Sequence, residues 1–160
     1  MRNGRGFTLI ELLVGVVIAG VLLAITVPGF LKFRSSMVRN QVKWGLIADL
    51  RYARQLAVTK HRSVVVAFGN GSTTTNITTY TLHTDSNSNR IKDSGELVLN
   101  RTLPKGSLLT SVALAPPDSV IFDNSGSLWP GTNGGQVMFR GPQGFVDTLN
   151  VSAIGMVYHP

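Results

Sequence analysis

The N-terminal segment constrains this chain more than any other part of it. From Phe7 to Val27 the sequence FTLIELLVGVVIAGVLLAITV carries a single charged residue, Glu11. At about 1.5 Å per residue, a helix of that length covers roughly 30 Å, the thickness of a bilayer's hydrocarbon core. The segment is a membrane span by length. Arg2 and Arg5 precede it, and the positive-inside tendency keeps the extreme N-terminus cytoplasmic and sends the rest of the chain across. Three fates fit such a segment: a cleaved secretory signal, a permanent anchor, or an anchor that later serves elsewhere. Ala24, Thr26 and Gly29 supply small residues of the kind at which a secretory signal is cut. Glu11 argues against that fate, because a charge in a span costs about 2.5 to 3.5 kcal/mol at the centre, less near an end, and usually has a partner and a task.

Beside this span, 160 residues leave room for one modest domain with a small core. No cysteine is present, so an exported form folds without disulfides. Pro28 cannot donate a helical hydrogen bond and Gly29 adds freedom, which predicts a kink or a locally melted turn there. The helix is expected to resume from Val38 to about Lys60. Val42, Leu46, Ile47, Leu50, Ala53 and Ala57 recur at three-and-four spacing and mark the face that buries against a sheet. After His61 the texture changes to β-branched and aromatic runs separated by turn residues. SVVVAF, NITTYTLHT, LVLNRTL, SVIFD, QVMFR and LNVSAI read as strands, and GNGSTTTNITT as an exposed loop or hairpin tip. The fold class is α+β, a long N-terminal helix packed against a small antiparallel β-sheet head.

The stretch GRGFTLIELLVGVVIAGVLLAITVP resembles the N-terminal signature of type IV pilins and type II secretion pseudopilins. The resemblance implies that a prepilin peptidase cuts between Gly6 and Phe7, that Phe7 becomes the methylated N-terminus, and that Pro28 is the helix-weakening proline. It also makes Glu11 the glutamate used in assembly. The chemistry agrees: the freed amine lies four residues, about one helical turn, from Glu11, and methylation preserves its charge. Glu11 can pair with that amine or with a neighbouring subunit's, setting axial register without burying either charge alone. ARQLAVTKHRSVVV, VIFDNSGSL and the closing LNVSAIGMV resemble the GspH/FimT branch of minor pilins. DNA-binding members of that branch carry Gly-Arg-x-Arg near the C-terminus, where this chain reads Gly155, Met156, Val157, Tyr158.

Charge bears on the same point. The net charge is +7, but Lys32, Arg34, Arg39, Lys43, Arg51, Arg54, Lys60 and Arg62 all fall in the stem, against the single acid Asp49. Beyond the stem, Arg90, Lys92, Arg101, Lys105 and Arg140 are offset by Asp85, Asp93, Glu96, Asp118, Asp123 and Asp147. A near-neutral head is a poor footprint for phosphates. In DSNSNRIKDSGE, Asp85, Asn87, Asn89, Asp93 and Glu96 stand at positions one, three, five, nine and twelve of an EF-hand-like calcium loop, with the Ile91 carbonyl at position seven. Arg90 replaces the glycine of the sharp turn, at a cost of roughly 1 to 2 kcal/mol. Calcium is therefore the one candidate cofactor, and the alternative is a polar hairpin whose Asn and Asp side chains cap their own turn. His61, His83 and His159 are scattered, and GxSxG, HExxH and Walker-type patterns are missing from the sequence, so no enzyme is expected.

The expected organisation is a cleaved leader (1–6), a transmembrane and filament-core segment (7–29), an amphipathic stem (30–62) and a β-rich head (63–160). The resemblance implies a minor pilin or pseudopilin of a type II secretion pseudopilus or type IV pilus. It would insert once in the bacterial inner membrane with its head in the periplasm, and its partners would be prepilin peptidase and other pilin subunits. A DNA-binding minor pilin for natural transformation is the alternative.

Overall fold

A computed structural model describes residues 7–69, 76–114, 118–129 and 134–160. It contains two compact units, Met1–Met37 and Val38–Pro160. The expected leader, including Gly6, and most of the GNGSTTTNITT stretch lie outside the described residues.

Helix α1 covers Leu9–Lys60, 52 residues. It begins at a cap the sequence spells out: the Glu11 N–H donates to the Thr8 hydroxyl (3.3 Å), and that hydroxyl lies 3.5 Å from the Glu11 carboxylate. Thr8 and Glu11 stand in the T-x-x-E spacing of a capping box. Of the kink or locally melted turn expected at Pro28 and Gly29, a melted turn is not found, since the helix assignment is unbroken there. Proline loses one donor but keeps a helix-compatible φ, and spanning helices tolerate proline because neighbouring groups re-satisfy the freed carbonyl. Just before it, the Thr26 hydroxyl bonds back to the Leu22 carbonyl at 2.7 Å. From Leu9 to Val27 every residue is exposed. This is the one helix long and apolar enough to cross a membrane among the described residues.

The second unit is built on the other half of α1. Val42, Leu46, Ile47, Leu50, Ala53, Leu56 and Ala57 are buried, as the three-and-four spacing predicts. The helix stops at His61, which takes φ 52° and so fills the left-handed position usually given to glycine. The Arg62 N–H closes back on the Ala57 carbonyl at 3.2 Å.

Among the described residues, two four-stranded antiparallel sheets follow. The first has the order β3-β2-β1-β5, from β1 (Ser63–Phe68), β2 (Thr79–Asp85), β3 (Val98–Thr102) and β5 (Ser119–Phe122). The second has the order β4-β6-β7-β8, from β4 (Leu108–Ala113), β6 (Gly135–Arg140), β7 (Val146–Val151) and β8 (Val157–Tyr158). All pairings are antiparallel, and Ile77 bridges Leu109 to link the sheets. The α+β class expected from sequence holds, with two sheets in place of one. Val64, Val66, Phe68, Leu82, Val120 and Phe122 from the first sheet meet Leu109, Val137, Phe139, Leu149 and Val151 from the second in one core that includes the buried face of α1.

Candidate functional site

Three groups of residues bear on function. The first is the start of the span. Phe7 is 75% exposed, and Glu11 sits in the first turn of α1 with its carboxylate on solvent-facing helix surface. An anion in the first turn complements the positive end of the helix macrodipole. Thr8 and Glu11 are tied together at the start of α1, directly after Phe7.

The second group ties the stem to the sheets. Asp49 accepts a hydrogen bond from the Tyr80 hydroxyl (2.7 Å) and an ion-paired contact from Arg101 Nε (3.0 Å). Burial, and then the Asp49 hydrogen bond, push the Tyr80 phenol well above its ordinary pKa. Arg54 Nε donates to the Gly126 carbonyl at 2.8 Å. That carbonyl lies against Gly155, where an added Cβ would meet it at 2.4 Å and Arg54 Nε at 3.4 Å. The VIFDNSGSL turn and the closing NVSAIGMV hairpin, two separate sequence motifs, are thus brought together on one stem arginine. Asp123 organises its own turn, accepting from the Ser125 N–H and hydroxyl and from the Ser127 N–H.

At the C-terminal motif, Gly155 takes φ 73° and is buried, while Met156 and Tyr158 are 53% and 49% exposed. The two positions where DNA-binding relatives place arginine therefore face outward here without charge. The DNA-capture alternative gains no support.

The third group is the Asp85–Glu96 loop. Asp85 is buried, and its two oxygens accept the N–H groups of Asn89 (3.1 Å) and Arg90 (3.0 Å). Asp93 accepts from the Asn87 and Asn89 amides, both at 2.7 Å. Glu96 takes the N–H groups of Ser86 (2.7 Å) and Asp93 (3.0 Å), and these hold its carboxyl below the ordinary carboxylate range. Ile91 is exposed and donates its N–H to Asn89 Oδ1. Arg90 adopts φ 63°, the left-handed turn that its position demands, and its guanidinium stacks 5.3 Å from the Trp129 ring. The six positions singled out for calcium are brought together, and each of their polar side chains accepts at least one loop N–H or amide hydrogen bond. Among the described residues no group of three or more His, Cys, Asp and Glu side chains is arranged to hold a metal ion.

An exposed apolar N-terminal helix whose continuation completes the core of a two-sheet antiparallel head is the build of a pilin-like subunit. Residues 45–155 match the family described as type II transport protein GspH, and residues 1–27 match the prokaryotic N-terminal methylation motif. The chain belongs to the GspH family. It is 49% identical over 47 residues to the type IV major pilin protein PilA of Myxococcus xanthus, a stretch covering 29% of this chain and 21% of that protein. Two crystal structures of the type IV minor pilin FimU of Pseudomonas aeruginosa share the fold, at 16% identity and TM-scores of 0.54 and 0.50. They align over 76% of this chain and over 90% and 91% of theirs. The protein is pilin-like: it belongs to the family described as type II transport protein GspH and shares the fold of minor pilins.

Proposed function

We propose that this protein is a minor pilin or pseudopilin that waits in the bacterial inner membrane and is then built into a secretion pseudopilus or type IV pilus. Prepilin peptidase removes residues 1–6, Phe7 is methylated, and Glu11 pairs with an N-terminal amine during assembly. The head stands on the periplasmic side. The observation that carries this reading is the pairing of an uncovered, membrane-length helix with Thr8 and Glu11 in its first turn, directly after Gly6-Phe7. On the stem, Trp44 and Tyr52 point away from the core, 60% and 42% exposed, and offer apolar contact to neighbouring subunits.

Mass spectrometry of the N-terminal peptide tests the processing. Coexpression with prepilin peptidase should yield a chain beginning at methylated Phe7, with the span still attached. A chain beginning after Ala24 or Thr26 would make it an ordinary secreted protein and end the pilin reading.

For the Asp85–Glu96 loop the reading best supported is the self-capped hairpin, since its carboxylates already receive loop N–H groups. A ligand that binds only the folded form raises stability by mass action. Calcium added to millimolar concentration should therefore leave the melting temperature of the full chain in detergent unchanged. A clear rise would make the loop a cation site.

A further inference from the structure

At the outer end of the span the sequence reads Phe30, Leu31, Lys32, Phe33, Arg34. All five side chains are exposed, with Phe30 and Phe33 at 61% and 62%. At 3.6 residues per turn, five successive residues go right round a helix. The two cations and two aromatic rings therefore form a collar. A docking face for another protein gathers its contacts on one side of a helix, whereas lipid surrounds an isolated span on every side. Depth agrees with lipid: Lys32 lies 23 positions beyond Leu9, or roughly 35 Å along the helix at about 1.5 Å per residue, which is past the hydrocarbon and within the headgroup layer. Aromatic rings and snorkelling cations belong at that level.

The collar also runs against the orientation rule. Cations flanking a span are favoured on the cytoplasmic side, yet Lys32 and Arg34 follow it, and no acid stands between Glu11 and Asp49 to offset them. We propose that Lys32 and Arg34, framed by Phe30 and Phe33, bind the phosphates of anionic lipid headgroups in the leaflet facing the head. They would thereby fix how deep the anchor sits before assembly. This rests on the membrane-anchored reading above.

The test uses the full chain reconstituted in phosphatidylcholine vesicles with or without 30 mol % phosphatidylglycerol. Electron spin resonance of spin-labelled phosphatidylglycerol and phosphatidylcholine measures which lipid the protein immobilises. The wild type should prefer phosphatidylglycerol about two- to fivefold at low salt. The preference should vanish in the Lys32→Gln/Arg34→Gln double variant and persist in Arg51→Gln. No preference in the wild type, a preference kept by the double variant, or one lost equally in Arg51→Gln overturns the proposal. Competition by millimolar inorganic phosphate at constant ionic strength also overturns it, in favour of a free-phosphate site. Alkaline extraction of the same vesicles separates the two readings: a chain that washes off refutes the anchor itself, whereas an integral chain without lipid preference refutes only the collar.

Discussion

Gly155→Ala should destabilise the head by about 2 to 5 kcal/mol. The backbone there has φ 73°, and a side chain held left-handed costs roughly 1 to 2 kcal/mol. The added Cβ would also stand 2.4 Å from the Gly126 carbonyl oxygen, a backbone atom that cannot swing aside. Forcing backbone apart adds about 1 to 3 kcal/mol. The same carbonyl accepts the Arg54 hydrogen bond, so the shift loosens the stem's hold on both turns. Denaturant unfolding of the full chain in detergent, followed by circular dichroism, measures the loss. Gly45→Ala is the control: its Cβ would meet nothing within 4 Å, and in mid-helix the change should be neutral or stabilising by up to ~1 kcal/mol. Equal stability of Gly155→Ala and the wild type would show that the contact between the two turns is not needed.

The second large effect concerns assembly. Glu11→Ala and Glu11→Gln should both leave the protein inserted in the membrane while lowering its fraction in sheared filaments at least about tenfold. Breaking a buried ion pair by removing one partner costs ~3 to 5 kcal/mol, because the other charge is stranded. The two variants separate charge from helix capping. Glutamine serves a capping box as glutamate does, so Glu11→Gln keeps the first turn that Thr8 organises and loses only the charge. Immunoblots of sheared and membrane fractions give the ratio. Wild-type incorporation of Glu11→Gln would assign Glu11 to the cap and remove the charge pairing from the mechanism.

Much of this architecture could be read from sequence where one local signal sufficed. The stem face was legible because Val42, Leu46, Ile47, Leu50, Ala53 and Ala57 obey the helical period and all are buried. Strand β4 was missed: its residues, LLTSVA, lack the alternation that marks a half-buried strand, and a register shift between Leu109 and Ser111 interrupts its pairing. β8 is two residues long, too short for any periodic signal. The Thr8 cap is written in the T-x-x-E spacing, within a segment whose apolar run dominates the local pattern. The structural task of Gly155 depends on a carbonyl from a turn 29 positions earlier, which no local pattern announces. Arg54, which joins those turns, is in sequence one of eight basic residues of the stem. Asp49, Tyr80 and Arg101 come from three elements and meet only in the folded head. Pairings of this kind follow from tertiary packing and leave no local pattern.

The core places a condition on where this molecule can be cut. Seven buried residues between Val42 and Ala57 belong to the helix and not to the sheets, so the head does not end where its strands begin. A protease that severs the stem within that stretch removes part of the hydrophobic interior, and a cut past Arg54 removes Asp49 and Arg54 as well. The released piece lacks part of the core it would need to fold as a domain. Only a cut before Val38 leaves the second compact unit entire. A subunit cut between Val42 and Ala57 therefore releases no intact folded head.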